Sequence, residues 1–399
     1  MSTQDASERG HRDRRLSMLL DVEAPSLAAL GGAVARVLEA SDCRLLIADY
    51  ALRSLRPLLA DDSLGEALQI EGTMAGRCFA TGDVVSSVDG STTTWLPLND
   101  GVERIGVVEL HFDSLFETEL DARGVVELLG LVIVSRRRYT DVVHLARRSH
   151  PLSEAAEAQW DLLPPLCHSV GGVSVAGGLE PAYDIGGDSF DYAFNPGKLD
   201  FAVLDAAGHG LEAVLMAAAA VHCLRNARRS GRSLTETYTQ IDRRIQAQFG
   251  HSFFVTGQLC ALDVTTGVLT WINAGHVLPL HVRDRSFIGE LQCRPSLPMG
   301  LGGAVRQVAT ARLQPGDRVL FYTDGVTESR SADGRLFGVD LLADFLVRAT
   351  LDDVPAAETV RRLTGHVVDA VGGDLRDDAT MFLIDYAGSE TRSETSGLA

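Results

Sequence analysis

The apolar and polar positions of the chain change texture twice. SLAALGGAVARVL, from Ser26 to Leu38, repeats apolar residues at three- and four-residue spacing and predicts an amphipathic helix. CRLLIADY, from Cys43 to Tyr50, predicts a strand, and WLPLND and ERIGVVELHF predict two more around an NDG turn. Residues 121–147, DARGVVELLGLVIVSRRRYTDVVHLAR, predict one long helix. Its first half is apolar on nearly every face, so it needs cover from its own domain, a partner subunit or both. Helix, strands and a closing helix together predict a small α+β module.

The next stretch, 141–165, is polar and runs into SEAAEAQWDLLPPL, a predicted helix stopped by Pro164 and Pro165. Beyond it short β-type runs alternate with Gly and Asp: VSVAGGLEPAYDIGGDSFDYAF, then LDFAVLD. Two predicted helices follow, LEAVLMAAAAVHCLRNA and SLTETYTQIDRRIQAQF. Strands return in FVTGQLCALDVTTG, VLTWINAGH and DRVLFYTDG. VDLLADFLVRA and AAETVRRLTGHVVDAV predict helices, and ATMFLIDY a closing strand. This order predicts α+β architecture, helices stacked on antiparallel sheets.

Composition narrows the function. The 399 residues are too many for one ordinary core and imply two domains. A net charge of −18, from 54 acids against 36 bases, argues against a nucleic-acid surface, which needs clustered cations to meet phosphate. The six cysteines are scattered, with no CxxC pair and no zinc spacing, and read as small buried hydrophobes of a reducing compartment. GVVELLGLVIV is too short to span a bilayer and carries Glu127, and the N-terminus lacks an apolar signal core, so a cytoplasmic location is expected. Residues 1–21 and 388–399 read as disordered tails.

The candidate chemistry lies in acids at strand ends. Asp188 follows two glycines in IGGDSF, Asp205 ends FAVLD, Asp324 follows VLFYT, and Asp377 and Asp378 precede ATMFLIDY. Any one of them alone reads as a turn or cap residue, as Asp317 and Asp333 do. Gathered at one sheet edge they would repel one another, and an unpaired carboxylate is costly to desolvate. Only Arg376 adjoins them in sequence. A divalent cation resolves the conflict, and all-oxygen donors select Mg²⁺ or Mn²⁺.

Two resemblances sharpen this. EGTMAGRCFATGDVV with WLPLNDGVERIGVVEL, within residues 22–140, resembles GAF domains, which implies an α/β sensor module for a small-molecule or protein signal of unknown identity. The ordered strings EPAYDIGGDSFD, LDAAGHGLEAVLMA, INAGHVLP, LPMGLG, LQPGDRVLFYTDGVTESR and DDATMFLI resemble the PPM-type (type 2C) metal-dependent serine/threonine phosphatases, in the SpoIIE-like branch. The organisation expected is a sensor at 22–140, a helical linker at 141–165 and, at 166–387, a phosphatase β-sandwich flanked by helices.

The phosphatase resemblance implies a centre of two or more Mn²⁺ or Mg²⁺ ions that activates water for in-line attack on phosphorus. By motif match, Asp205 bridges the ions, the backbone carbonyl of Ala206 binds one, and Asp188, Asp324 and Asp377 supply further ligands, with Asp378 as rival to Asp377. Asp191 and Glu328 are candidate supporting acids. His209 is the candidate general acid, although its spacing after Asp205 departs from the eukaryotic pattern and a brace for its turn is the preferred role. His276 carries the same ambiguity, while Asn273 and Gly275 shape a turn. LDAAGHG departs from the usual Gly before the bridging Asp and Val-Ser after it, but keeps small residues around the carbonyl. The implied substrate is a phosphoserine or phosphothreonine protein, an anti-sigma-factor antagonist. A signalling scaffold with a catalytically weak phosphatase-like domain is the alternative. The long helix at 121–147 suggests a homodimer that relays the sensor's state.

Overall fold

The computed structural model describes residues 26–89, 91–113, 119–180, 183, 186–330, 336–372, 375 and 377–388. The expected tails, apart from Gly388, and Arg376 and Asp333 lie outside the described residues. The chain divides into two compact units, Met1–Pro151 and Leu152–Ala399. Among the described residues no helix is long and apolar enough to cross a membrane.

The N-terminal unit opens with α1 (Leu27–Leu38), whose first turn is capped by Ser26 Oγ accepting from the Ala29 amide at 3.0 Å. Its strands are β1 (Asp42–Ala48), β2 (Ser54–Leu58), β3 (Leu68–Gln69), β4 (Val85–Asp89), β5 (Ser91–Asp100) and β6 (Glu103–Phe112), with α2 (Met74–Thr81) between β3 and β4. They form one antiparallel sheet in the order β3-β2-β1-β6-β5-β4. Alternation along β1 and β6 divides the core. Leu45, Ile47, Val108 and Leu110 face α1 and the helix α3 (Glu119–Arg136), while Leu46, Ala48 and Val107 face α2 through Cys78 and Phe79.

The single helix expected over 121–147 is two: α3 ends at Arg136, and α4 (Val142–Ala146) starts anew. The break has a local cause. Three consecutive arginines fill the C-terminal end, where cations suit the helix dipole, and the Val142 amide donates to Thr140 Oγ1 at 3.3 Å as a fresh start. Leu131 of α3 stays 59% exposed, so the helix is covered on one side only within its unit.

The C-terminal unit begins with α5 (Glu154–Leu162), capped by Ser153 and ended before the two prolines. Its elements then run β7 (Cys167–Val170), β8 (Val173–Glu180), β9 (Asp188–Asn195), β10 (Lys198–Ala206), α6 (Gly210–Arg229), α7 (Leu234–Phe249), β11 (Val255–Asp263), β12 (Val268–Ala274), β13 (Leu280–Arg283), β14 (Ser286–Glu290), β15 (Ala309–Arg312), β16 (Asp317–Tyr322), α8 (Asp324–Glu328), α9 (Gly338–Leu351), α10 (Ala356–Ala370) and β17 (Ala379–Tyr386). Two antiparallel sheets result, β15-β12-β11-β10-β9 and β14-β13-β16-β17-β8-β7.

The layers follow from the side-chain alternation. Ala202, Leu204 and Leu259 pack under Met216, Val221 and Ile241 of α6 and α7. Leu320, Met381 and Leu383 pack under Leu346, Val360 and Leu363 of α9 and α10. Between the sheets lies an aromatic stack: Phe201 meets Phe321 at 5.0 Å and Phe382 at 5.4 Å between ring centroids, and Phe190 meets Phe382 at 5.5 Å. The architecture is a β-sandwich with a helical layer on each outer face. The strands DFAVLDA and ATMFLIDY are central and buried on both sides, which explains their nearly unbroken apolar runs.

Candidate metal centre

Strand parity decides which acids meet. In β10 the even residues face α6, so Phe201, Val203 and Asp205 face the opposing sheet. Asp188 stands directly opposite Asp205 in the β9–β10 register, and Thr256 of β11 stands opposite it on the other side. Above the aromatic stack, therefore, the inner edge of one sheet ends in Asp188, Asp205 and Thr256. The other sheet meets it with the ends of β16 and β17. β16 stops at Tyr322, Thr323 turns inward, and Asp324 opens the short helix α8. Asp377 and Asp378 lead into β17.

Asp188 is buried, and its Oδ2 accepts from Thr323 Oγ1 at 2.6 Å. Thr323 also accepts from the Thr380 amide at 2.9 Å, so one hydroxyl joins β16, β17 and β9. Gln159, reaching from α5, donates through Nε2 to the Asp188 carbonyl. Asp378 turns its carboxylate onto the Gly186 amide, at 2.9 and 2.8 Å, and onto the Asp188 amide at 3.3 Å. Asp377 accepts from the Asp378 amide at 3.0 Å.

Two glycines make these approaches possible. A Cβ at Gly187 would collide with the Ala206 carbonyl oxygen, and one at Gly325 with the carbonyl of Asp378. The Ala206 amide donates to the Gly187 carbonyl at 3.2 Å, which holds the end of β10 in place.

The assembled carboxylates raise one another. Burial pushes Asp188 well above the ordinary carboxylate range, the charges of Asp205 and Asp378 add to this, and Thr323 opposes it. Burial, then the charge of Asp324, pushes Asp205 up to about 6, against the hydrogen bond from Thr256. Asp377 is raised by burial and by Asp324. Among the described residues no Lys or Arg enters any of these balances.

The acids converge without forming a finished cage: among the described residues no three His, Cys, Asp or Glu side chains are grouped to hold an ion. The donor set nonetheless fits hard divalent cations. It offers oxygen donors only, several carboxylates and a backbone carbonyl that glycine leaves approachable. Of the pair before β17, Asp378 is committed to backbone amides, whereas Asp377 is exposed and close enough to Asp324 to feel its charge.

Several expectations are corrected. Asp191 does not join the acids. It lies three residues beyond Asp188, points to the other face, and is held by Arg225 Nε at 2.9 Å and Arg228 Nη1 at 2.8 Å from α6. Glu328 is exposed at the end of α8. His209 does not brace its turn, because it is exposed at the start of α6 and its ring makes no capping hydrogen bond.

His276 is half-buried, and desolvation pushes it down to about 4. Its Nε2 faces the Tyr322 carbonyl at 3.0 Å, which places the ring proton there. Asn273 and Gly275 do shape the turn. Asn273 Oδ1 accepts from the His276 amide at 2.7 Å, Asn273 Nδ2 donates to the His276 carbonyl at 2.9 Å, and Gly275 takes φ +69°. Sequence reasoning missed Gln159, Thr256, Thr323 and Thr380. The available signal was a Thr placed one residue before an acid at a strand end, as in YTDG.

The comparisons with known proteins fall on this unit. Residues 195–387 match the family model for Stage II sporulation protein E (SpoIIE). Protein IcfG of Synechocystis sp. is 26% identical over 140 residues, covering 34% of this chain and 21% of that protein. The phosphoserine phosphatase RsbU of Bacillus subtilis is 22% identical over 218 residues, covering 54% of this chain and 62% of RsbU. The chain thus spans about a fifth of one curated relative and less than two-thirds of the other. Among solved structures, the RsbU and RsbW domains of Rv1364c from Mycobacterium tuberculosis are 26% identical with a TM-score of 0.49, covering 55% of this chain and 63% of that one. Residues 195–387 are thus similar to the phosphatase domains of the SpoIIE type.

Proposed function

We propose that the whole chain is a signal-controlled phosphoserine/phosphothreonine protein phosphatase of bacterial signalling, acting on a phosphorylated anti-sigma-factor antagonist. The observation that carries this reading is the convergence of Asp188, Asp205, Asp324 and Asp377 on one sandwich edge, with no cationic side chain among the described residues to offset them. The similarity to RsbU, a phosphoserine phosphatase, supports the substrate class.

Two or more Mn²⁺ or Mg²⁺ ions, when bound, supply charge stabilisation for a phosphoryl group and acidify water towards neutrality. The residues that would hold them are Asp205 in the bridging place, the Ala206 carbonyl, Asp188, Asp324 and Asp377. Asp378 keeps a different task, since its carboxylate clasps the Gly186 and Asp188 amides and so sets the entry to β9. Thr323 holds the rotamer of Asp188. Both ring nitrogens of His276 are engaged, by Thr256 and the Tyr322 carbonyl, whereas His209 is exposed at the start of α6 and able to protonate a departing serine oxygen. No side chain of the protein need form a covalent phosphoryl bond.

The N-terminal unit, a six-stranded antiparallel sheet with helices on both faces, is read as a GAF-like sensor whose signal controls this activity. The relay through a paired long helix in a homodimer now rests on α3 alone, with Leu131 on its open side. The decisive experiment is hydrolysis of a phosphoserine peptide and of p-nitrophenyl phosphate by the full chain with Mn²⁺. Turnover that EDTA abolishes and Asp205→Asn eliminates is expected. Turnover that survives both overturns the reading. A partner bound tightly yet never dephosphorylated would favour the scaffold.

A further inference from the structure

The reading above leaves a buried polar chain beside Asp205 without a role. Thr256 Oγ1 donates to Asp205 Oδ2 at 3.1 Å, and the same hydroxyl lies 2.8 Å from His276 Nδ1. The far nitrogen of that ring, Nε2, is 3.0 Å from the Tyr322 carbonyl. Tyr322 ends β16, two residues before Asp324. The chain Asp205–Thr256–His276–Tyr322 therefore crosses from one sheet of the sandwich to the other, at the edge where the acids gather. It joins a strand end carrying one acid to a strand end carrying another.

The members of this chain are placed by their surroundings. Thr256 is held by strand register, directly opposite Asp205. His276 is pinned on both sides of its peptide by Asn273, at 2.7 and 2.9 Å, and its tautomer is set by a carbonyl that can only accept. With Nδ1 left as an acceptor, the one hydroxyl proton of Thr256 serves the carboxylate or the ring, one at a time, and both lie within its reach. A carboxylate on a single rotatable bond, in a crowd of like charges, would otherwise turn towards solvent. Small errors in ligand orientation are costly at metal sites, and outer hydrogen-bond partners commonly govern affinity there.

We propose that Thr256 and His276 are positioning residues for the cation site. Together with Asn273 they form a cross-sheet strut that holds the Asp205 carboxylate in its ligating rotamer and sets the spacing between Asp205 and Asp324. Neither residue touches cation or phosphate. The inference rests on the phosphatase reading only for the identity of the cations. His276, a candidate acid in the sequence, is thereby given a different role.

The test uses the full chain with three variants, Thr256→Val, Thr256→Ser and His276→Gln, and two readouts: Mn²⁺ binding by calorimetry and p-nitrophenyl phosphate kinetics across Mn²⁺ concentration. Thr256→Val keeps the shape of the side chain and removes the hydroxyl. It is expected to weaken Mn²⁺ binding roughly 10- to 100-fold, with kcat largely restored at saturating metal, and His276→Gln to do the same. Thr256→Ser, which keeps the hydroxyl, should bind within about threefold of wild type, a rescue that a purely packing role would not give. The double variant Thr256→Val/His276→Gln should lose no more than the worse single one, because both break the same strut.

Wild-type affinity in Thr256→Val, or equal loss in Thr256→Val and Thr256→Ser, overturns the inference. If wild type turns over phosphate and Thr256→Val binds Mn²⁺ normally, the strut fails and the phosphatase reading stands. If wild type binds Mn²⁺ in an Asp205-dependent way but hydrolyses nothing, the phosphatase reading fails and the binding comparison still decides the strut. Absence of Mn²⁺ binding by wild type overturns both.

Discussion

Replacing Asp205 by asparagine should make the cation-free protein more stable at pH 8, although it removes the residue placed at the centre of the site. Burial and the charge of Asp324 push this carboxyl from 3.8 up to about 6. At about 1.4 kcal/mol per tenfold, that displacement makes the ionised group cost the fold about 3 kcal/mol at high pH. Asparagine carries no charge and still offers an oxygen to Thr256, so most of this cost disappears.

The expected gain is about 1–3 kcal/mol, or roughly 3–10 °C in the melting temperature of a unit of this size. The pH dependence has a definite sign. Because the folded value lies above the unfolded one, the proton's stabilising contribution is full below 3.8 and is lost as pH rises through about 6. Wild type should therefore recover about half of the deficit between pH 8 and pH 5, and the advantage of the variant should shrink accordingly.

The assay is thermal unfolding of the full chain in EDTA at both pH values, repeated with excess Mn²⁺. Excess Mn²⁺ should reverse the order, since ligand at about 100 times its Kd adds about 2.7 kcal/mol to wild type only. An Asp205→Asn protein that melts at or below wild type in EDTA at pH 8, or a difference indifferent to pH, refutes the electrostatic account.

Three further outcomes follow from the same geometry. Thr323→Val removes the hydroxyl shared by Asp188 and the Thr380 amide at a fully buried position. It should cost about 1–3 kcal/mol in denaturant unfolding, and Thr323→Ser should restore most of that. Gly187→Ala forces a Cβ against the Ala206 carbonyl and should weaken Mn²⁺ binding in calorimetry by roughly tenfold or more, whereas substitution of the open Gly197 should not. Asp191→Ala strands Arg225 and Arg228 and should destabilise the unit by about 3–5 kcal/mol. Its Mn²⁺ affinity per folded molecule should stay at the wild-type value, and a loss there would return Asp191 to the metal centre.

Much of the architecture is legible in the sequence because it is written in local periodicity. The helices α1, α6, α7, α9 and α10 carry their apolar spacing openly, and β10, β16 and β17 are buried runs that could belong only to a core. Short or mixed elements escape that logic. β13 and β15 have four residues each, β14 is a largely exposed SFIGE, and α2 is a Gly- and Ala-containing turn capped by Thr73. Two misreadings had signals in plain view. The arginine run followed by Thr140 and Asp141 marks a helix boundary, and three-residue spacing along a strand puts Asp191 on the opposite face from Asp188.

The site divides in the same way. Its acids are legible as a set only through the ordered motifs, since each alone is an ordinary turn residue. The cross-sheet strut was not legible. Asp205 and Thr256 are 51 positions apart and His276 and Tyr322 are 46 apart, so their meeting is a property of strand register and sheet packing. His209 and His276 illustrate the limit. Both follow small residues in glycine-containing turns, yet one is exposed and the other is half-buried with both ring nitrogens engaged.

The most direct measurement is anomalous diffraction from crystals of the full chain soaked in Mn²⁺. The account predicts at least two adjacent manganese peaks that share Asp205, with the Ala206 carbonyl and carboxylates among Asp188, Asp324 and Asp377 within about 2.0–2.6 Å of a peak. Manganese bound only elsewhere on the protein, with these acids still turned onto their threonine and amide partners, would contradict it.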